Sequence, residues 1–377
     1  MGSQRLAAAH QGARLSRLRL LLTTDAVGGV WTYSLELAAS LAAQADATIV
    51  LAVLGPAPSG EQLTRAAAVP GLQLVETGLP LDWTANDEST LRATAEALAE
   101  LAACAEADLV QLHAPALAVA GYSQPVVTVV HSCVATWWTA MREGPLPPDF
   151  AWRTALAAEG LGRSNLIVTP SKAFADAVRS TYGLPRLPLA VLNGRTPAPK
   201  PVGGSGEFAF TVGRLWDEAK NVAAFDEAAA RSSVPFLAAG PLSGPNGAQA
   251  QLAAAQALGL VDEDRLADLF AAQPIFISAA RYEPFGLSVL EAAQAGCPLV
   301  LSSIPTFREL WSGAALFADS PADIAAAVDR LSFDPAERHR LGDAARRRAE
   351  RFTPDATASA MLEHYRDLLG LERKAAA

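Results

Sequence analysis

Cysteine is scarce in this chain: three in 377 residues, Cys104, Cys133 and Cys297, with no C-x-x-C pair. A disulfide scaffold and a thiolate zinc site are thereby excluded, and a reducing, cytoplasmic setting fits. Histidine is nearly as rare, with five residues. Basic charge is not in excess either. A net charge of −9 excludes a nucleic-acid binder working through a wide basic face. No apolar run approaches the roughly 20 residues of a membrane-spanning helix, so membrane contact is expected to be peripheral at most. A Walker loop, a G-x-S-x-G elbow, an H-E-x-x-H pair and a G-x-G-x-x-G fingerprint are all missing.

What is present is a chain rich enough in apolar residues, at 51%, for large cores, and long enough for two domains. Residues 1–16 form an expected N-terminal extension. Arg5, Arg14, Arg17 and Arg19 all precede the first acid, Asp25, but no apolar core of a secretory signal accompanies them. Leu6 breaks the myristoylation pattern.

Strand patterns alternate with helical ones from there on. Strands are predicted at 17–24, 47–54, 72–77, 108–113, 125–131, 165–169 and 188–192. Helices are predicted from Val30, over 88–106, up to 163 and over 171–181. The stretch 134–151, with Trp137, Trp138 and E-G-P-L-P-P-D-F, is predicted as an irregular loop. Residues 193–206, crowded with Gly and Pro, read as a domain linker. The alternation then restarts, with strands at 208–213, 234–240, 274–279 and 298–302. Helices are predicted at 220–231, 247–257, 263–272 and 287–295, and helix continues beyond Asp319. The expected fold is α/β: two Rossmann-like domains with parallel sheets, 17–195 and 207–352. Ligands bind such sheets at the carboxyl ends of the strands, so the cleft between the domains is the expected site.

Around that cleft the residue types become informative. Glu283 and Glu291 stand eight apart across Pro284, Gly286 and an apolar helical run. Pro284 and Gly286 predict a helix starting near Leu287 or Ser288, whose free N–H groups suit a phosphate. Two acids beside it can grip hydroxyls, or can be merely solvated. Arg214 and Lys220 follow the strand 208–213 and are suited to a diphosphate, although either alone is an ordinary surface base. Gly28 and Gly29 open the first helix and admit close backbone approach, or simply make a tight turn. His113 and His131 end two strands on the ligand side, where a structural role is the alternative. Asp262-Glu263-Asp264 spells D-x-D but precedes a helix, and is read as a cap rather than a metal site.

The segments G-R-L-W-D-E-A-K-N, A-A-G-P-L-S-G-P, E-P-F-G-L-S-V-L-E-A and R-E-L-W-S-G resemble glycosyltransferase family 4, retaining enzymes of GT-B fold. D-A-V-G-G-V-W-T-Y-S-L-E-L-A, V-V-T-V-V-H-S, V-T-P-S-K-A-F-A and V-L-N-G resemble its first domain. The resemblance covers about residues 17–370. It implies a hexose transferred from a nucleoside-diphosphate sugar, such as UDP-glucose or GDP-mannose, to a hydroxyl acceptor: a saccharide, a lipid-linked or a small molecule. It implies catalytic roles for Arg214, Lys220, Glu283 and His131. Arg214 and Lys220 would hold the diphosphate, Glu283 the sugar hydroxyls, and His131 would face the reaction centre. Gly28, Gly29, Phe285, Gly286, Leu287, Ser288 and Glu291 would bind the donor, with Glu291 on the ribose. His113, Trp137 and Trp138 fall on the acceptor side. No cofactor and no essential metal are implied, and the last helix, in 353–377, would cross back onto the first domain. The alternative readings are a non-catalytic nucleotide-sugar-binding partner protein of the same fold, and a phosphorylase or epimerase on that fold.

Overall fold

The run L-R-L-L-L-T-T-D forms β1 (Leu18–Asp25), whose Leu20, Leu21 and Leu22 are fully buried, as a central strand covered on both faces requires. It runs parallel to β2 (Ala47–Leu54) on one side and β4 (Leu109–Leu112) on the other. The first sheet is completed by β3 (Leu72–Glu76), β5 (Val126–Val129), β6 (Leu166–Thr169) and β7 (Leu189–Ala190), in the order β3-β2-β1-β4-β5-β6-β7. Its helices are α1 (Gly29–Gln44), α2 (Gly60–Ala67), α3 (Glu88–Cys104), α4 (Val134–Met141), α5 (Pro148–Arg163) and α6 (Lys172–Tyr182). These are features of a computed structural model that describes residues 18–198, 206–244 and 247–370. The expected extension 1–16, residues 199–205 of the glycine-rich linker and the last seven residues lie outside the described residues.

The second sheet repeats the plan around β8 (Ala209–Val212), with β9 (Phe236–Ala239), β10 (Gln256–Gly259), β11 (Ile275–Ser278), β12 (Leu299–Leu301) and β13 (Leu316–Phe317) in the order β10-β9-β8-β11-β12-β13. Its helices are α7 (Val222–Ala229), α8 (Glu263–Ala271), α9 (Leu287–Ala295), α10 (Pro305–Trp311), α11 (Pro321–Phe333) and α12 (Pro335–Ala349). In each sheet the strand order reverses once, between β1 and β4 and between β8 and β11. Ligands of open parallel sheets bind at that reversal.

The final helix, α13 (Pro354–Leu368), returns to the first domain, where Ala358, Met361, Leu362 and Tyr365 join the core of Leu20, Ile49, Trp31 and Leu35. The chain therefore crosses between domains twice, and the crossings touch. The Arg195 N–H donates to Phe352 O at 3.1 Å. A Cβ on Gly194 would lie 2.0 Å from the Thr353 carbonyl carbon, inside backbone that cannot yield. Gly194→Ala is therefore expected to destabilise the protein by about 3 kcal/mol or more. A chemical-denaturation midpoint equal to wild type would refute the contact.

Three predictions need correction. The predicted loop 134–151 is mostly helical. Cys133 caps α4, its Sγ accepting from the Thr136 N–H at 3.5 Å, and Pro147–Pro148 starts α5. The predicted helix 247–257 is absent. There the Asp226 carboxylate collects the N–H groups of Ala253, Ala254 and Ala255 at 2.8–3.0 Å and holds them out of helical geometry. The chain then enters β10, an edge strand with exposed side chains and hence no apolar signal. Finally, α10 and β13 fill a stretch to which no element was assigned.

Candidate functional site

Both reversal points face one cleft. From the second domain, Arg214 follows β8 by two residues, and Lys220 ends a short 3-10 turn, Glu218–Lys220, capped by Asp217. Lys220 Nζ pairs with Glu283 Oε2, so the predicted cation and acid are brought together. Gly213, Lys220, Ser278 and Ser288 line one small pocket at the carboxyl ends of β8 and β11. Arg214 is more open, 60% exposed, bonded to Asp217 Oδ2 at 3.0 Å and placed over the Trp216 ring at 5.7 Å.

Helix α9 starts at Leu287, as its sequence predicts. Gly286 has φ +94°, a conformation that L side chains rarely adopt, and no side chain among the described residues caps the start of α9, whose first N–H groups lie beyond the reach of its own carbonyls. Phe285 is buried beneath this start and packs edge-on against Phe352 at 5.9 Å. Across the cleft stands the glycine start of α1. A Cβ on Gly29 would sit 3.0 Å from Leu287 Cδ1, whereas one on Gly28 would meet nothing. Two helix N-termini from different domains thus converge on one gap, with Lys220 beside it. Such a gap favours a polyanion.

The first domain adds an aromatic cluster. Tyr33, His113 and His131 stack edge-on, with centroids 4.6–5.3 Å apart. Gln111 orders it: its Oε1 accepts from the Tyr365 hydroxyl of α13, and its Nε2 donates to His113 Nε2 at 2.8 Å. The proton of His113 is therefore on Nδ1, which faces Ser34 Oγ at 3.4 Å. His131 Nε2 is enclosed without a partner among the described residues. Burial lowers His113 well below the usual imidazole range and pushes His131 down to about 4.

As pH falls, the unfolded chain takes up these protons first, near 6.5, so the stability is fully present above that value. For His131 it is lost between 6.5 and about 4, at up to about 1.4 kcal/mol per pH unit, and His113, lowered as well, acts in the same direction. His131→Asn should flatten that slope in denaturation measured at several pH values. An unchanged slope would show that His131 does not titrate this way.

Around α4, Trp138 Nε1 donates to Gly144 O at 3.1 Å, and both Trp137 and Trp138 pack edge-on against Phe150. Arg142 lies 5.2 Å over Trp137 and pairs with Glu218 of the second domain at 2.5–2.8 Å. The D-x-D acids do not converge: Asp262 caps α8 through the Arg265 N–H at 2.7 Å, and Glu263 pairs with Arg65.

Several cleft residues carry no local signal in sequence. The Asp25 carboxylate accepts from the Val27 N–H at 2.8 Å and shapes the glycine turn. Burial raises its pKa, with Arg214 across the cleft drawing it back. Tyr282 bridges Ser132 and Thr136 at 3.0 and 2.8 Å, Ser171 Oγ donates to Pro284 O at 2.8 Å, and Glu309 caps α6 from the second domain. Glu291 is bound by Arg195, itself bound by Glu36 of α1. Glu291 is already singled out by its spacing from Glu283; of the others, Asp25, Glu36, Ser171, Arg195, Tyr282 and Glu309, only Asp25, a strand-ending acid before two glycines, stands in a pattern the sequence could have flagged.

Comparison with known proteins agrees with this geometry. A family model described as Glycosyltransferase Family 4 matches residues 27–194, and one described as Glycosyl transferases group 1 matches 198–348. A D-inositol 3-phosphate glycosyltransferase of Streptomyces bingchenggensis is 33% identical over 111 residues, 28% of this chain and 24% of that protein. The serotype-specific mannosyltransferase WbdA of Escherichia coli is 37% identical over 71 residues, 18% of this chain and 9% of that protein. These matches span at most about a quarter of the relatives' own length. Among solved structures, sucrose-phosphate synthase of Thermosynechococcus elongatus superposes with TM-score 0.72 at 18% identity, covering 94% of this chain and 100% of that one. Anabaena Alr3699/HepE in complex with UDP and glucose superposes with TM-score 0.71 at 16% identity, covering 93% and 100%. With two family models spanning most of its length, and with two parallel sheets facing one cleft, the chain belongs to glycosyltransferase family 4 and has the GT-B fold.

Proposed function

We propose that the chain moves a hexose from a nucleoside-diphosphate sugar to a hydroxyl acceptor, with retention at the anomeric carbon and without a metal. The observation that carries this reading is the convergence of Lys220, Glu283 and the free start of α9 on the glycine turn at Gly28 and Gly29. Departure of a nucleoside diphosphate leaves negative charge on the leaving oxygen. An ammonium, a guanidinium and helix N–H groups already in place stabilise that charge, which is usually the largest catalytic contribution. Glu283 then accepts from sugar hydroxyls, Glu291 from the ribose diol, and neutral His131 faces the reacting carbon from the first domain.

The bond from the anomeric carbon to the diphosphate oxygen breaks as the acceptor oxygen bonds to that carbon on the same face. The acceptor's proton passes to the departing diphosphate oxygen, so no side-chain nucleophile is consumed. The pair of carboxylates therefore does not act as it does in retaining glycosidases.

HepE holds UDP and glucose, and WbdA is named a mannosyltransferase, so UDP-glucose and GDP-mannose are the donors to compare first. A thermal-shift screen of nucleoside diphosphates and their sugars ranks them, since a ligand at about a hundred times its Kd stabilises by about 2.7 kcal/mol. Nucleotide release with the selected donor should persist in excess chelator. Loss of turnover in chelator would refute the metal-free mechanism. Binding without turnover against a broad acceptor panel would favour the non-catalytic reading.

A further inference from the structure

Arg195, near the start of the linker, joins two carboxylates from opposite domains. Arg195 Nη1 donates to Glu36 Oε1 on α1 at 3.1 Å, and Arg195 Nε donates to Glu291 Oε1 on α9 at 2.8 Å. The Thr196 N–H donates to the same Glu36 oxygen at 2.9 Å, and Gln294 Nε2 donates to the Arg195 carbonyl at 2.6 Å. Arg195, Glu36 and Glu291 expose only 18, 13 and 23% of their side chains. Glu36 Oε2 is enclosed with no partner among the described residues. One guanidinium therefore serves two largely buried acids at the point where the chain passes between domains.

We propose that Arg195 is a positioning residue for the nucleotide end of the site. It orients one oxygen of Glu291 and offsets the repulsion from Glu36, leaving the other Glu291 oxygen for the ribose diol. This rests on the ribose role proposed above for Glu291. It adds that nucleotide binding depends on the first domain through Glu36, a residue that need not touch the ligand.

The groups facing Glu291 are Arg195, Glu36 and Glu263, the last paired with Arg65 at 2.5 Å. Burial raises the Glu291 carboxyl above its usual range, Arg195 draws it down, and Glu36 and Glu263 push it up again. Glu36 is likewise raised by burial and drawn down by Arg195. Without the guanidinium, two acids share one partly dry space and one of them takes up a proton. A protonated Glu291 loses the charge that strengthens its hydrogen bonds from the ribose hydroxyls.

The test is UDP binding by calorimetry, with GDP in parallel, on the full chain over about pH 6 to 8. Arg195→Met should weaken binding at least about tenfold at the acid end and clearly less at the alkaline end. Donor KM should rise with it while kcat stays within about threefold. Glu36→Gln combined with Arg195→Met should restore affinity to within about threefold of wild type, because the like charge is gone. Glu36→Gln alone should make binding less acid-sensitive than wild type, a result available even if Arg195→Met does not fold. The proposal is overturned if Arg195→Met leaves affinity within about twofold throughout, or if its loss is equal at both ends and untouched by Glu36→Gln. Unchanged acid sensitivity in Glu36→Gln alone overturns it as well. If instead Glu291→Ala binds nucleotide as wild type does, the ribose assignment itself has failed. If Glu291→Ala weakens binding while Arg195→Met does not, only this inference falls.

Discussion

Lys220→Ala and Arg214→Ala should each lower kcat at least about a hundredfold, because in the proposed mechanism each removes a cation from the place where charge develops on the departing diphosphate. The two variants separate cleanly in other respects. Lys220 is half-buried and paired with Glu283, so its loss also strands a carboxylate beside the start of α9. Some destabilisation is expected there, on the order of 1–3 kcal/mol for an unpaired, partly buried acid. Arg214 is 60% exposed and held by Asp217 and Trp216, so its removal should change stability by less than about 0.5 kcal/mol. A rate loss in Arg214→Ala with an unchanged unfolding midpoint therefore reports on the chemistry alone. Steady-state kinetics with the donor chosen by the nucleotide screen decides the matter. Wild-type kcat in both variants would remove the leaving-group assignment.

The second large effect is expected on binding rather than rate. Glu291→Ala should weaken nucleoside diphosphate by about tenfold to a hundredfold, the worth of hydrogen bonds to a charged group. Free nucleotide and donor sugar should be affected alike, since the ribose is common to both. Truncation also leaves Arg195 with Glu36 alone, which keeps the guanidinium neutralised and the linker anchored. Calorimetry with UDP and GDP measures the effect directly. Equal affinities in wild type and variant would place the ribose elsewhere. Glu283→Gln makes the contrasting case, because a group on the transferred sugar should lower kcat while nucleotide affinity holds.

Most strands were legible because buried parallel strands write their environment into sequence. L-R-L-L-L, P-V-V-T-V-V and P-I-F-I-S are apolar runs bounded by turn residues. The edge strand β10 was not, since its side chains are exposed and the preceding alanines favour helix on their own. The Asp226 carboxylate, 27 residues away, overrides that preference by binding three consecutive N–H groups. The segment 134–151 misled in the opposite direction: prolines and paired tryptophans suggest irregular chain, yet Cys133 and Pro147–Pro148 each start a helix.

Sequence by itself determined the α/β class, the two-domain division, and the position of Arg214, Lys220, Glu283 and the start of α9 at strand ends. Those depend on local periodicity and on the backbone restrictions of Pro284 and Gly286, which act within a few residues. Only the tertiary structure decided that Lys220 pairs with Glu283, that α13 reaches Gln111 through Tyr365, and that Arg195 binds Glu36 and Glu291. Those pairs are separated by 63, 254, 159 and 96 residues, too far apart for any local pattern to encode. They form because burying an acid or a hydroxyl is costly unless the fold supplies a partner.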